Sequence, residues 1–229
     1  MSTLATNSHA HQELAHHFTD MPQQREAGTL GMWLFLATEV MLFGALFLAY
    51  TVYRYKYFDP FRAASGHLFV SLGTFNTCVL LTSSLMMALA VHAAHTGESK
   101  KIVRYILLTI LFGAIFLGVK LAEYIIDYRE GLVPLIGWWK PQSVDPMADR
   151  EIRLFFMFYF IMTMLHAIHM TAGMIVLGVI AWFAHRRRFS ADYFDPVDIA
   201  GLYWHFVDIV WVFLFPALYL VHPEIHLFK

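Results

Sequence analysis

The chain has 229 residues, of which 59% are hydrophobic and only 14% charged. Soluble domains carry about 25% charged residues, and the mean hydropathy here is +0.55, so a soluble globular domain is excluded in favour of an integral membrane bundle of helices. The formal charge of −1 gives no electrostatic reason to expect nucleic acid, and Cys78, the one cysteine, excludes an internal disulfide framework or thiolate cluster.

Residues 1–28 read as a polar tail. Its His9, His11, His16 and His17 lack the fixed spacing of a known metal site, and a solvated or surface-lying segment is expected. The tail has no apolar core of a cleavable signal, so the first span should serve as the insertion signal. Residues 29–229 then read as one transmembrane domain, with spans at about 30–53, 67–92, 102–126, 154–184 and 199–221. Each is long enough for a hydrocarbon core about 30 Å thick.

The first span holds one carboxylate, Glu39, and a stripe repeating every four residues at Ala37, Met41, Ala45 and Ala49 that suits close helix contact. Tyr50 to Tyr57, with Arg54 and Lys56, form an interfacial belt. Phe58–Gly66 reads as a polar loop. The second span is rich in small polar residues, among them Asn76, Thr77, Ser83 and Ser84, a modest sign of contact between helices. The third carries Lys120 and Glu123, three apart and able to pair on one face. Asp127–Arg153 is expected as a long interfacial loop anchored by Trp138 and Trp139. The fourth span contains His166 and His169 and closes on Arg186, Arg187 and Arg188. The fifth contains His205 and Asp208, and Pro216 is expected to bend its end. The clusters Lys100-Lys101 and Arg186–Arg188 fall in short loops on one side, which favours a cytoplasmic N-terminus and a periplasmic C-terminus.

A charged side chain at mid-bilayer costs about 2.5–3.5 kcal/mol on insertion scales, so the intramembrane set Glu39, Lys120, Glu123, His166, His169, His205 and Asp208 needs partners. Three readings compete. The set could ligate a metal or haem, making the chain a free-standing membrane metalloenzyme or b-type cytochrome, although the Glu-x-x-His pairs of di-iron bundles are missing from the spans. It could be structural, with Lys120–Glu123 and His205–Asp208 paired and joined to His166 and His169 to set helix register. Glu39, without an ionic partner in its own span, could relay protons, or bond a lipid headgroup or a neighbouring helix.

Tyr203-Trp-His-Phe-Val-Asp-Ile-Val-Trp211 resembles the last-helix signature of subunit III of the haem–copper terminal oxidases. Thr38-Glu-Val-Met-Leu-Phe43 resembles that family's motif around a carbodiimide-sensitive glutamate, and places Glu39 on it. Asn76-Thr77, Glu123-Tyr124 and His166-Ala-Ile-His169 follow in matching order. The longer members of that family have seven spans, and the chain is similar instead to the short five-span bacterial forms. The resemblance implies an accessory subunit of a proton-pumping oxidase in the bacterial cytoplasmic membrane, with no redox centre of its own. Haems and copper would sit in partner subunits, subunit I in direct contact and subunit II beyond it, with small subunits or a respiratory supercomplex as further company. It implies a role for Glu39 in proton uptake, and bound phospholipid, with Arg186–Arg188 as candidates for lipid phosphate. A quinol oxidase subunit III or an accessory protein of nitric oxide reductase is the alternative.

Overall fold

The computed structural model describes residues 20–134, 139–186 and 194–221. The described residues form six helices in chain order. They are α1 (Met21–Lys56), α2 (Phe58–Ser65), α3 (Val70–His95), α4 (Ser99–Glu130), α5 (Pro146–His185) and α6 (Asp195–Tyr219). All but α2 are long and apolar enough to cross a membrane. In lipid every backbone N–H and C=O must be satisfied within its own segment, which is why uninterrupted helices follow from this composition.

The helix ends are set by local chemistry. Asp20 caps α1, its carboxylate accepting from the Gln23 N–H at 2.8 Å, with Pro22 in the first turn where a missing N–H costs nothing. Asp145 caps α5 in the same way, accepting from Met147 N at 3.0 Å ahead of Pro146. At the far end of α4, Gly131 takes a left-handed conformation at φ 78°, and Leu132 N donates back to the Asp127 carbonyl at 2.9 Å. That turn needs a residue without Cβ.

Two stretches expected to be loops are helical. Phe58–Gly66 contains α2, because Phe61, Ala64 and Ser65 fall on one face and bury together while Asp59 stays exposed and Arg62 is half-buried. An amphipathic pattern this short is easily lost among polar neighbours. The connection expected over Asp127–Arg153 narrows to 131–145, since α4 continues to Glu130 and α5 begins at Pro146. Its folded part is held by Asp149, which accepts from Trp139 Nε1 at 2.9 Å and from Gln142 N at 2.6 Å. The tail histidines, Trp138, Arg187 and Arg188 lie outside the described residues.

Helices α3 to α6 pack as a bundle, and α1 lies along its side against α2, α5 and α6. In the apolar stretch of α6, 44% of residues are buried, against 11% in α1, so α6 is central and α1 peripheral. Close approach at the centre depends on glycine. A Cβ on Gly113 or Gly173 would stand 3.0 Å from the rings of Trp204 or Tyr203, so glycine relieves crowding where α4 and α5 meet α6. Trp204 fills the resulting space and donates Nε1–H to Ser83 Oγ at 3.1 Å. Pro216 lies inside α6, three residues before its end. In that last turn Ala217 O, which has no intrahelical donor to expect, accepts the Tyr50 hydroxyl of α1 at 2.6 Å.

Candidate functional site

Below the Trp204 layer lies a closed polar cluster. Lys120 on α4 is 2% exposed, and its ammonium bonds Glu123 Oε2 at 2.9 Å, Tyr159 OH on α5 at 3.0 Å and Tyr219 OH on α6 at 2.5 Å. All three ammonium hydrogens thus have acceptors. Tyr219 passes its own hydrogen to Glu123 Oε1 at 2.7 Å, and Tyr159 donates to Asp127 Oδ2 at 3.2 Å. The rings of Tyr159 and Trp211 stand 4.5 and 5.5 Å from the ammonium, adding cation–π attraction in a buried site. These bonds join α4, α5 and α6 through side chains that are all buried. The sequence signal for Lys120–Glu123 extends to Asp127, seven residues on and on the same face; the partner tyrosines give no sign within their own spans.

Glu39 has a partner after all, on another helix. His169 Nε2 of α5 lies 2.9 Å from Glu39 Oε2 of α1, and His169 Nδ1 lies 2.8 Å from the Leu165 carbonyl. The two side chains are 13% and 14% exposed, so the pair sits at the edge of the bundle, on the seam between α1 and α5. Phe43 packs edge-on against the His169 ring, with centroids 5.3 Å apart, and Tyr203 OH donates to the His169 carbonyl at 3.0 Å.

His205 and Asp208 do not pair, contrary to the expectation from their spacing. Spacing by three permits a pair, as Lys120 and Glu123 show, but here the two side chains turn to different neighbours. His205 Nδ1 reaches Ser84 Oγ of α3 at 2.7 Å. Asp208, 4% exposed, points into the bundle, and Ser84 approaches it without reaching hydrogen-bond geometry. His166 likewise joins none of the other ionisable groups. Its ring is fully enclosed by Phe116 and Trp211, with centroids 5.5 and 5.2 Å away. Among the described residues, Asn76 Oδ1, both His166 ring nitrogens and both Asp208 oxygens lack a hydrogen-bond partner. Trp211 Nε1 donates to Thr77 Oγ1 at 3.1 Å, so the small polar residues of α3 serve the tryptophans of α6.

No group of three or more His, Cys, Asp or Glu side chains among the described residues could hold a metal ion. The imidazoles face different neighbours on different sides of α5 and α6. Arg186 stacks over Trp182 at 4.5 Å. A groove of about 610 Å³ runs between α1 and α6, lined by Val40, Phe47, Ile209 and Phe213, with Arg54 among its lining residues.

A helical bundle with five membrane-spanning helices, tied internally by buried ionic and aromatic contacts, is the class of protein that the fold and these contacts define. The sequence model described as cytochrome c oxidase subunit III matches residues 12–128 and 150–222. Quinol oxidase subunit 3 of Bacillus subtilis is 30% identical over 219 residues, covering 92% of this chain and 97% of that protein. Probable quinol oxidase subunit 3 of Staphylococcus aureus is 28% identical over 198 residues, covering 86% and 90%. The chain belongs to the cytochrome c oxidase subunit III family, and is a multi-pass membrane subunit of an oxidase complex that works alongside other oxidase subunits.

Proposed function

We propose that the chain is the non-redox third subunit of a proton-pumping haem–copper oxidase in the bacterial cytoplasmic membrane, with its N-terminus cytoplasmic. It packs against subunit I, leaves haems and copper to its partners, and supports proton uptake through Glu39. The observation that carries this reading is the division of labour among the buried polar groups. Lys120, Glu123 and Asp127 are consumed in helix contacts, whereas Glu39 is held at the bundle edge where a neighbour or a proton can reach it.

The groove between α1 and α6 adds a lipid role. From Val40 to Arg54 is 14 residues, about 21 Å of helix at 1.5 Å per residue, close to the length of an acyl chain. Arg54 is placed to bond a phosphate oxygen at one end of it. Arg186 stays a candidate for a second headgroup contact.

A second reading concerns the electron donor. Glu39 favours the cytochrome c type, but the Bacillus and Staphylococcus relatives are named for quinol, which favours a quinol-oxidising complex. Gentle purification of the tagged chain tests both. Oxidase subunits should accompany it, and the recovered complex should consume oxygen with either quinol or reduced cytochrome c. Recovery of the chain with no oxidase subunit would overturn the proposal. In that complex Glu39→Gln should assemble normally, since the amide keeps shape and hydrogen bonding, and should slow proton uptake.

A further inference from the structure

We propose that Glu39 and His169 form a single acid–base couple that holds one shared proton at the α1–α5 seam, with Leu165 fixing which imidazole nitrogen takes part. The proposal rests on the proton-uptake reading above and adds the second member of that site.

The proton count follows from the contacts. A carbonyl oxygen only accepts, so the 2.8 Å contact from His169 Nδ1 to Leu165 O requires a hydrogen on Nδ1. Nε2 is then the atom that faces Glu39 Oε2 at 2.9 Å, and that contact is a hydrogen bond only if one proton lies between them. With no proton there, two lone pairs would oppose each other; with two, two hydrogens would. The proton can rest on either atom. When it moves from the carboxyl to Nε2, an O–H bond breaks and an N–H bond forms. Carboxylic acid and imidazole become carboxylate and imidazolium, and the net charge is unchanged. That neutrality matters in lipid, where an isolated charge is costly.

The surroundings support a couple rather than a fixed salt bridge. Phe43 closes one side of the His169 ring and the Leu165 carbonyl holds its Nδ1, so the ring plane is held while its Nε2 edge stays toward α1. The titratable groups nearby are Tyr203 on α6 and His166, one turn away on α5; neither bonds the pair's shared edge. Both side chains keep about one-seventh of their surface open, so a proton can enter or leave along the seam. His169 is thus a positioning residue and proton acceptor for Glu39.

The test uses the assembled oxidase reconstituted in vesicles, with Glu39→Gln, His169→Gln and the double variant. Proton uptake per turnover is the readout, and subunit content is checked for each. A couple that works as one unit gives the same loss in all three, within about twofold. If the double variant shows the product of the two single losses, the groups act independently and the proposal fails. Nitrogen-15 resonances of histidine-labelled wild-type oxidase, with His169 assigned by difference, give a readout that does not depend on variants assembling. A protonated Nδ1 and a hydrogen-bonded Nε2 are expected; a bare Nδ1 would overturn the couple by itself. If the resonances show the shared proton but no variant changes proton uptake, the couple stands and the proton-uptake reading is the part that falls.

Discussion

Replacing Lys120 by Met tests the buried cluster most sharply. Methionine keeps roughly the length of the side chain but supplies no donor. Glu123 Oε2 and the Tyr159 and Tyr219 oxygens would each lose the hydrogen that Lys120 gives them. Removing one partner of a buried ion pair costs about 3–5 kcal/mol. Two features place this case at the lower end. Tyr219 still donates to Glu123 Oε1 at 2.7 Å, and hydrogen bonds between membrane helices average only about 0.6 kcal/mol. A loss of about 3 kcal/mol is therefore expected, on the order of 100-fold in the unfolding equilibrium. Adding Glu123→Gln removes the stranded carboxylate, so the double variant should recover about 2 kcal/mol of that loss. Reversible unfolding in bicelles for the wild type, both single variants and the double gives the whole cycle. The reasoning is refuted if Lys120→Met is within about 0.5 kcal/mol of wild type, or if the double variant is no more stable than the single.

Glycine substitutions should separate packed from open positions. A Cβ on Gly73 would lie 2.6 Å from Phe215 Cε2, whereas one on Gly118 meets nothing within 4 Å. Gly73→Ala should destabilise by about 1–3 kcal/mol, and Gly118→Ala should be neutral or stabilising by up to about 1 kcal/mol, read from the same unfolding curves. Tyr50→Phe removes the bond to Ala217 O that joins α1 to the end of α6. It should cost about 1 kcal/mol and raise amide hydrogen exchange in the last turn of α6; unchanged exchange there would show that the tie is not what holds the turn.

The spans are legible because lipid enforces continuous apolar helices, but their ends are not. Asp20 and Asp145 start α1 and α5 inside the stretches expected as tail and loop, and Gly131 closes α4 beyond its expected end, because polar flanking turns carry no hydropathy signal. The α2 helix is not legible either, since eight mixed residues give too little periodicity to stand out from an interfacial loop. The polar core was legible in identity but only partly in pairing. Lys120 and Glu123 share a helix, so their contact follows from spacing alone. Glu39 with His169 and Ser84 with His205 join residues 130 and 121 positions apart, and no local pattern encodes which helix faces which. The same spacing rule that served Lys120 misled for His205 and Asp208, because cross-helix packing turned one toward α3 and the other inward. Tyr159 and Tyr219 carry hydroxyls that need partners within apolar spans, but nothing in their own spans says that the partner is Lys120.

The visible absorption spectrum and metal content of this chain, purified free of its partners, bear most directly on the proposal that it serves an oxidase without a redox centre of its own. No haem band and no stoichiometric iron or copper are expected from the isolated subunit, with both appearing when the companion subunits are kept. Haem or metal bound in stoichiometric amount to the chain alone would contradict it.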